Sequence, residues 1–168
     1  MTDLRSEMPI LARNEGVWDG TYAYFNAQDE LIDKHKSRLI CRITDEEDVP
    51  YHQTNHYTWD DGKTDIRDFK ATYADKRIWF DNELIKGWAA EVGLDEYNRT
   101  TMLYWQRVGD PELYLYEMIQ NSDDGQHRTR TWHWIRGGLL ETRTAIQEQL
   151  VSKDWRAIEA EMQTAENA

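Results

Sequence analysis

The chain of 168 residues carries 32 acidic against 20 basic side chains, a formal net charge of −12. A phosphate backbone would be repelled, which excludes nucleic acid as a partner. Cys41 is the only cysteine, which excludes an intrachain disulfide and suits a reducing compartment. Eight tryptophans and nine tyrosines exclude an acidic disordered chain, a class poor in aromatic residues.

In chain order, Met1–Glu7 holds acid and no apolar stretch of a secretory leader. No apolar run approaches the ~20 residues that cross a bilayer. A soluble, cytoplasmic protein with no membrane partner is expected, and the length predicts one domain over 1–168. Residues 3–12 read as a short helix. Period-two alternation then dominates, and predicts strands at 17–25, 36–43, 51–59, 64–69, 76–81, 84–91, 99–107, 112–121, 127–136 and 139–148. Asp60-Asp61-Gly62, Val108–Pro111, Asp123-Asp124-Gly125 and Gly137-Gly138 separate them as turns. Ser152 is a suitable N-cap for a last helix over 153–165, where Trp155, Ile158 and Met162 share a stripe. About ten strands joined by short hairpins predict an all-β fold, an up-and-down antiparallel barrel with a helix at each end.

The last hairpins can be paired by hand. A three-residue loop at Asp123–Gly125 sets Ser122 opposite Gln126, the Gly-Gly turn sets Arg136 opposite Leu139, and the loop 108–111 sets Arg107 opposite Glu112. Neighbours across a ladder share a face. One face then gathers Trp105, Tyr114, Tyr116, Arg130, Trp132, Trp134, Glu141 and Arg143. Exposed to water it would be an unusually large apolar patch, so it is placed in the lumen. There Glu141 can serve one arginine, which leaves the other, Arg130 or Arg143, for an anionic ligand group. The opposite face gathers Tyr104, Glu117 and His133 with many apolar residues. The C-terminal helix would cover part of it and a second copy the rest, which points to a homodimer.

Asn14-Glu-Gly16-Val-Trp18-Asp-Gly20 resembles the Gly-x-Trp entry of the calycins, the superfamily of lipocalins and fatty-acid-binding proteins. Tyr51–Trp59, Ile78–Asn82, Gly87–Glu91, Leu113–Gln120 and Arg130–Trp134 further resemble an uncharacterised bacterial calycin-like family, and together these segments span most of residues 14–148. The resemblance implies a lipocalin-like barrel in which Trp18 seals one end, stacked with a basic residue of the final strands, Arg143 or Arg136. It carries over no catalytic residue. The chain departs from true lipocalins in its cytosolic character and in lacking a cysteine pair.

The remaining chemistry is sparse. His52 and His56 lie about 13 Å apart on a strand, too far to share one ion, and no metal site is expected. The acidic turn pairs lack the spacing of a calcium loop. His133 has no further haem signature around it, and no cofactor is expected. Three readings of function stay open. The first is a cytosolic barrel binding a partly aromatic, anionic small molecule through the ring-and-arginine face. The second is a cofactor-independent lyase, isomerase or cyclase in the same lumen, with His133, Glu117 and Tyr104 as acid–base candidates. The third is a dimeric interaction barrel with a filled lumen.

Overall fold

Alternating side chains along each segment need one buried and one separate face, and a long run of such strands satisfies its edges by closing on itself. The computed structural model, which describes residues 3–167, does so. It holds α1 (Leu4–Glu7), α2 (Pro9–Ala12), then β1 (Gly16–Asn26), β2 (Leu31–Ile43), β3 (Tyr51–Thr58), β4 (Thr64–Ala74), β5 (Arg77–Asp81), β6 (Ile85–Val92), β7 (Thr100–Arg107), β8 (Asp110–Asn121), β9 (His127–Arg136) and β10 (Leu139–Ser152), with α3 (Trp155–Glu166) last. Each strand pairs antiparallel with the next and β10 closes onto β1. This is the up-and-down barrel expected from the sequence.

The boundaries differ in instructive ways. The N-terminal helix is two single turns, because Pro9 opens the second and holds Met8 out of helical geometry. Ser152 ends β10 instead of capping α3. The cap is Asp154, whose side chain accepts from the Ala157 amide. β2, β4 and β10 run longer than the alternation suggested; the exposed start of β2, Leu31–Lys34, carries Asp33 and Lys34, which conceal the period there.

One end of the barrel is shut. Leu4 and Leu11 of the two short helices, and Met8 between them, are buried in the same core cluster as Trp18. A carboxylate oxygen of Glu91 accepts from the amides of Ile10 (2.5 Å) and Leu11 (2.8 Å), which ties this plug to β6. Trp18 is fully buried and its indole N–H donates to the Asn14 carbonyl at 2.9 Å. Gly16 explains the first position of the Gly-x-Trp motif. Its φ is +130°, and a Cβ there would meet the Ser152 carbonyl oxygen at 2.6 Å. The opposite end carries the tight turns at 59–63, 82–84 and Gly137-Gly138 and, among the described residues, has no helix over it.

Candidate functional site

The lumen is lined by alternate residues of every strand. Trp105, Trp132 and Trp134 all face inward around a cavity of about 80 Å³ that also touches Ile78, Phe80 and Ala89. Trp132 meets Trp134 edge-on at 5.7 Å, and Trp134 meets Trp105 at 5.2 Å. Such edge-to-face contacts hold large rings in fixed planes. Trp134 is further held by its N–H donating to Thr144 Oγ1 at 3.1 Å. A water needs roughly 10–15 Å³, so the space suits a small organic molecule.

Towards the closed end the lumen changes from apolar to ionic. Arg128 Nε donates to Glu148 Oε2 at 2.5 Å, and Arg130 Nε donates to Glu117 Oε1 at 2.5 Å. Arg130 also reaches Glu148 Oε1 (3.3 Å) and the Tyr22 hydroxyl (3.0 Å). All four charged side chains are at most 5 % exposed. Burial would raise the Glu148 carboxyl, but Arg128 and Arg130 beside it outweigh that and hold it below the usual carboxylate range. The Arg128 guanidinium stacks on Trp18 at 4.5 Å, with Lys153 at 5.5 Å from the same ring. The basic partner of the sealing tryptophan is therefore Arg128, not Arg143 or Arg136. This quartet is electrically balanced, so the expectation of an unpaired arginine at Arg130 or Arg143 is not met. Arg143 faces outward and pairs with Asp29.

Several residues expected in the lumen stand on the outer wall. Tyr114 and Tyr116 face solvent, Tyr116 being 47 % exposed. Glu141 is outside, bound to Arg136 at 2.9 Å. The cause is register. An irregularity between Gln106 and Arg107 sets Trp105 opposite Leu115 instead of Tyr114. The next hairpin pairs Asn121 with Arg128 and closes on Ser122 and His127, one residue later than the three-residue loop expected. The two slips cancel: they turn β8 over and leave β7 and β9 as expected. A bulge between Leu140 and Thr142 then turns the rest of β10, so that Thr142 and Thr144 oppose Trp134 and Trp132.

The acid–base group is also taken apart. Glu117 points into the lumen against Arg130, whereas His133 is exposed outside and Tyr104 packs on the outer rings of Trp88 (6.4 Å) and Tyr116 (5.8 Å). The barrel wall separates Glu117 from the other two. His52 lies outside too, bonded to Asp68 at 2.6 Å. α3 packs over β1 and β2, where Glu159 meets Arg42, and so leaves the outer wall of β7–β9 uncovered.

Other lumen residues went unnoticed in the sequence. Tyr51, Gln53, Asn55 and Tyr57 form an inward hydrogen-bonded ladder along β3, with links of 2.8, 2.7 and 2.7 Å. Their period-two spacing was the signal, masked by His52 and His56 between them. His35 is buried among Tyr22, Tyr57 and Trp59, and burial lowers its pKa. At the open end the cavity touches Arg67, Leu84 and Arg107. Two of its lining residues, Trp132 and Thr101, each carry a buried polar atom, Nε1 and Oγ1, with no hydrogen-bond partner among the described residues.

No family model and no curated protein matches the chain. Solved structures do. The S-type phycobiliprotein lyase CPES from Guillardia theta matches with a TM-score of 0.66 at 12 % identity, over 86 % of this chain and 92 % of that one. A protein of unknown function of the DUF3598 family, from Nostoc punctiforme, matches with a TM-score of 0.53 at 14 % identity, over 84 % of this chain and about half (49 %) of its own. The fold is a calycin-like barrel. At such identities these likenesses speak for architecture alone.

Proposed function

We propose that the protein binds a partly aromatic, anionic small molecule inside the barrel, with Trp105, Trp132 and Trp134 as its stacking walls. The observation that carries this reading is the cavity itself, a gap that runs from Leu11, Glu117 and Arg130 past three fixed indoles to the open end of the lumen. Interiors pack to high density, and apolar side chains rarely leave room without a use for it. Two of the residues that line the cavity, Thr101 on β7 and Trp132 on β9, also carry a buried polar atom without a hydrogen-bond partner among the described residues.

A lyase role stands second, supported by the shared architecture with a phycobiliprotein lyase. It lacks an assembled acid–base group, because Glu117 is committed to Arg130 and His133 and Tyr104 lie outside. The cavity argues against the third reading, a filled lumen. The homodimer stays part of the proposal. Its surface would be the outer rings Trp88, Tyr104 and Tyr116, and sedimentation of wild type against Tyr116→Glu tests it: a shift to monomer supports the surface, and an unchanged state rejects it.

Filling the lumen tests the binding reading. Ala89 is 2 % exposed and its side chain borders the cavity. Ala89→Phe is expected to abolish binding of a naphthalene probe while the barrel keeps its far-ultraviolet circular dichroism. Stability should fall by about 1–3 kcal/mol, the usual cost of overpacking. Unchanged probe affinity in the folded variant would reject the lumen as the site.

A further inference from the structure

The quartet near the closed end neutralises itself, so an acidic guest must be read elsewhere. We propose that Arg107 and Arg67, at the open end of the cavity, are the subsite that receives the guest's carboxylate; this rests on the lumen being a ligand site. Both side chains border the cavity. Arg107 is half-buried, and among the described residues it has no ion pair and no side-chain hydrogen bond. Its guanidinium lies 5.4 Å from the centre of the Trp105 ring, so the charge stands against one of the stacking walls. Arg67 lies 5.7 Å from the Tyr57 ring across the same space.

The acids around this pair leave it cationic. Asp65 is bonded to Arg67 at 3.0 Å, but both side chains of that pair are about 40 % exposed (42 % and 39 %) and the contact is within one strand. Such exposed pairs are weak and exchange readily with water or another anion. Asp110, near Arg107, is engaged by Arg136 at 2.7 Å. Burial first, and then the charge of Arg67, disfavour the protonated form of Arg107. An anion between the two guanidiniums would relieve both penalties. Two planar forks match a planar carboxylate by paired N–H donation. The formal charge of the whole chain is −12, so these cations form a local exception where an acid can enter.

The geometry orders the guest: acidic group at the mouth, flat body against Trp105 and Trp134. Calorimetric titration with 2-naphthoate and 2-naphthamide separates charge from shape, since the two differ in little else. Wild type should bind the carboxylate about tenfold more tightly than the amide at low ionic strength, the scale of one charge-assisted contact. Arg107→Gln should remove that preference and leave the amide within about twofold of wild type. Arg67→Gln, on a more exposed side chain, should remove part of it, and it decides the matter should Arg107→Gln fail to fold. A carboxylate preference intact in a folded Arg107→Gln, or equal losses for both probes, overturns the subsite. Equal binding of both probes by wild type also overturns it and leaves the lumen reading standing. Binding of neither probe overturns both.

Discussion

Glu148→Gln is expected to destabilise the barrel by about 3–5 kcal/mol, the cost typical of removing one partner from a buried ion pair. Glu148 touches both arginines of the closed end, Arg128 at 2.5 Å and Arg130 at 3.3 Å. Arg130 keeps Glu117, but Arg128 would lose its anionic partner and, besides its stacking on Trp18, keep only its donation to Asn14 Oδ1 at 3.2 Å and a weak one to Cys41 Sγ at 3.8 Å. An amide cannot replace the lost charge, and the site excludes the water that would. Denaturant unfolding followed by tryptophan emission measures the loss. The pH dependence has a defined sign. The folded-state pKa of Glu148 lies below its ordinary value, so its contribution is complete above that ordinary value, about 4.3, and is lost as pH falls through the lower folded value. Other depressed carboxylates, Glu15 and Asp68 among them, add to the acid loss of the wild type. The diagnostic quantity is therefore the difference between the two proteins. It should be constant near neutrality and shrink as the pH falls below about 4. A loss under about 1 kcal/mol at neutral pH would mean that the quartet is hydrated and not the buried network described.

Trp18→Ala should cost about 3–5 kcal/mol as well, through a different mechanism. The indole is fully buried, and no side chain of the plug can collapse into its place without drawing the short helices inward. The same change removes the aromatic face under Arg128. The two substitutions share that arginine, so their effects should not add. A double-mutant cycle of Trp18→Ala with Glu148→Gln should show a coupling of about 0.5–3 kcal/mol. Strict additivity would show that Arg128 does not link the seal to the ion pairs.

The sequence disclosed the architecture because a period of two is hard to hide over ten strands. It disclosed the inward face of β7 and β9 too, since Trp105, Trp132 and Trp134 are too large and too regularly spaced for a solvent surface. What it hid was the face of β8 and β10. Facing follows parity, and parity is reset by a single bulge or by one extra loop residue. Neither the irregularity at Arg107 nor the bulge at Glu141 has a composition that marks it. The same limit explains the misplaced arginine. Arg128, Arg130, Arg136 and Arg143 look alike in sequence, and only the register decides which meets Trp18, which meets Glu117 and which faces solvent. Arg107 and Arg67 escaped notice as site residues because Arg107 ends β7 beside a turn and Arg67 lies between Asp65 and Asp68 in β4, places where charged residues are ordinary.

A guest held in the barrel would sit among the inner indoles. The eight tryptophans give separate indole N–H signals in a two-dimensional nitrogen–proton correlation spectrum of labelled protein, and titration with 2-naphthoate reads them all at once. Shifts concentrated on Trp105, Trp132 and Trp134, with the outer-wall Trp79 and Trp88 unmoved, are the result expected of an occupied lumen. Shifts confined to Trp79 and Trp88, or none at all at saturating probe, would contradict it.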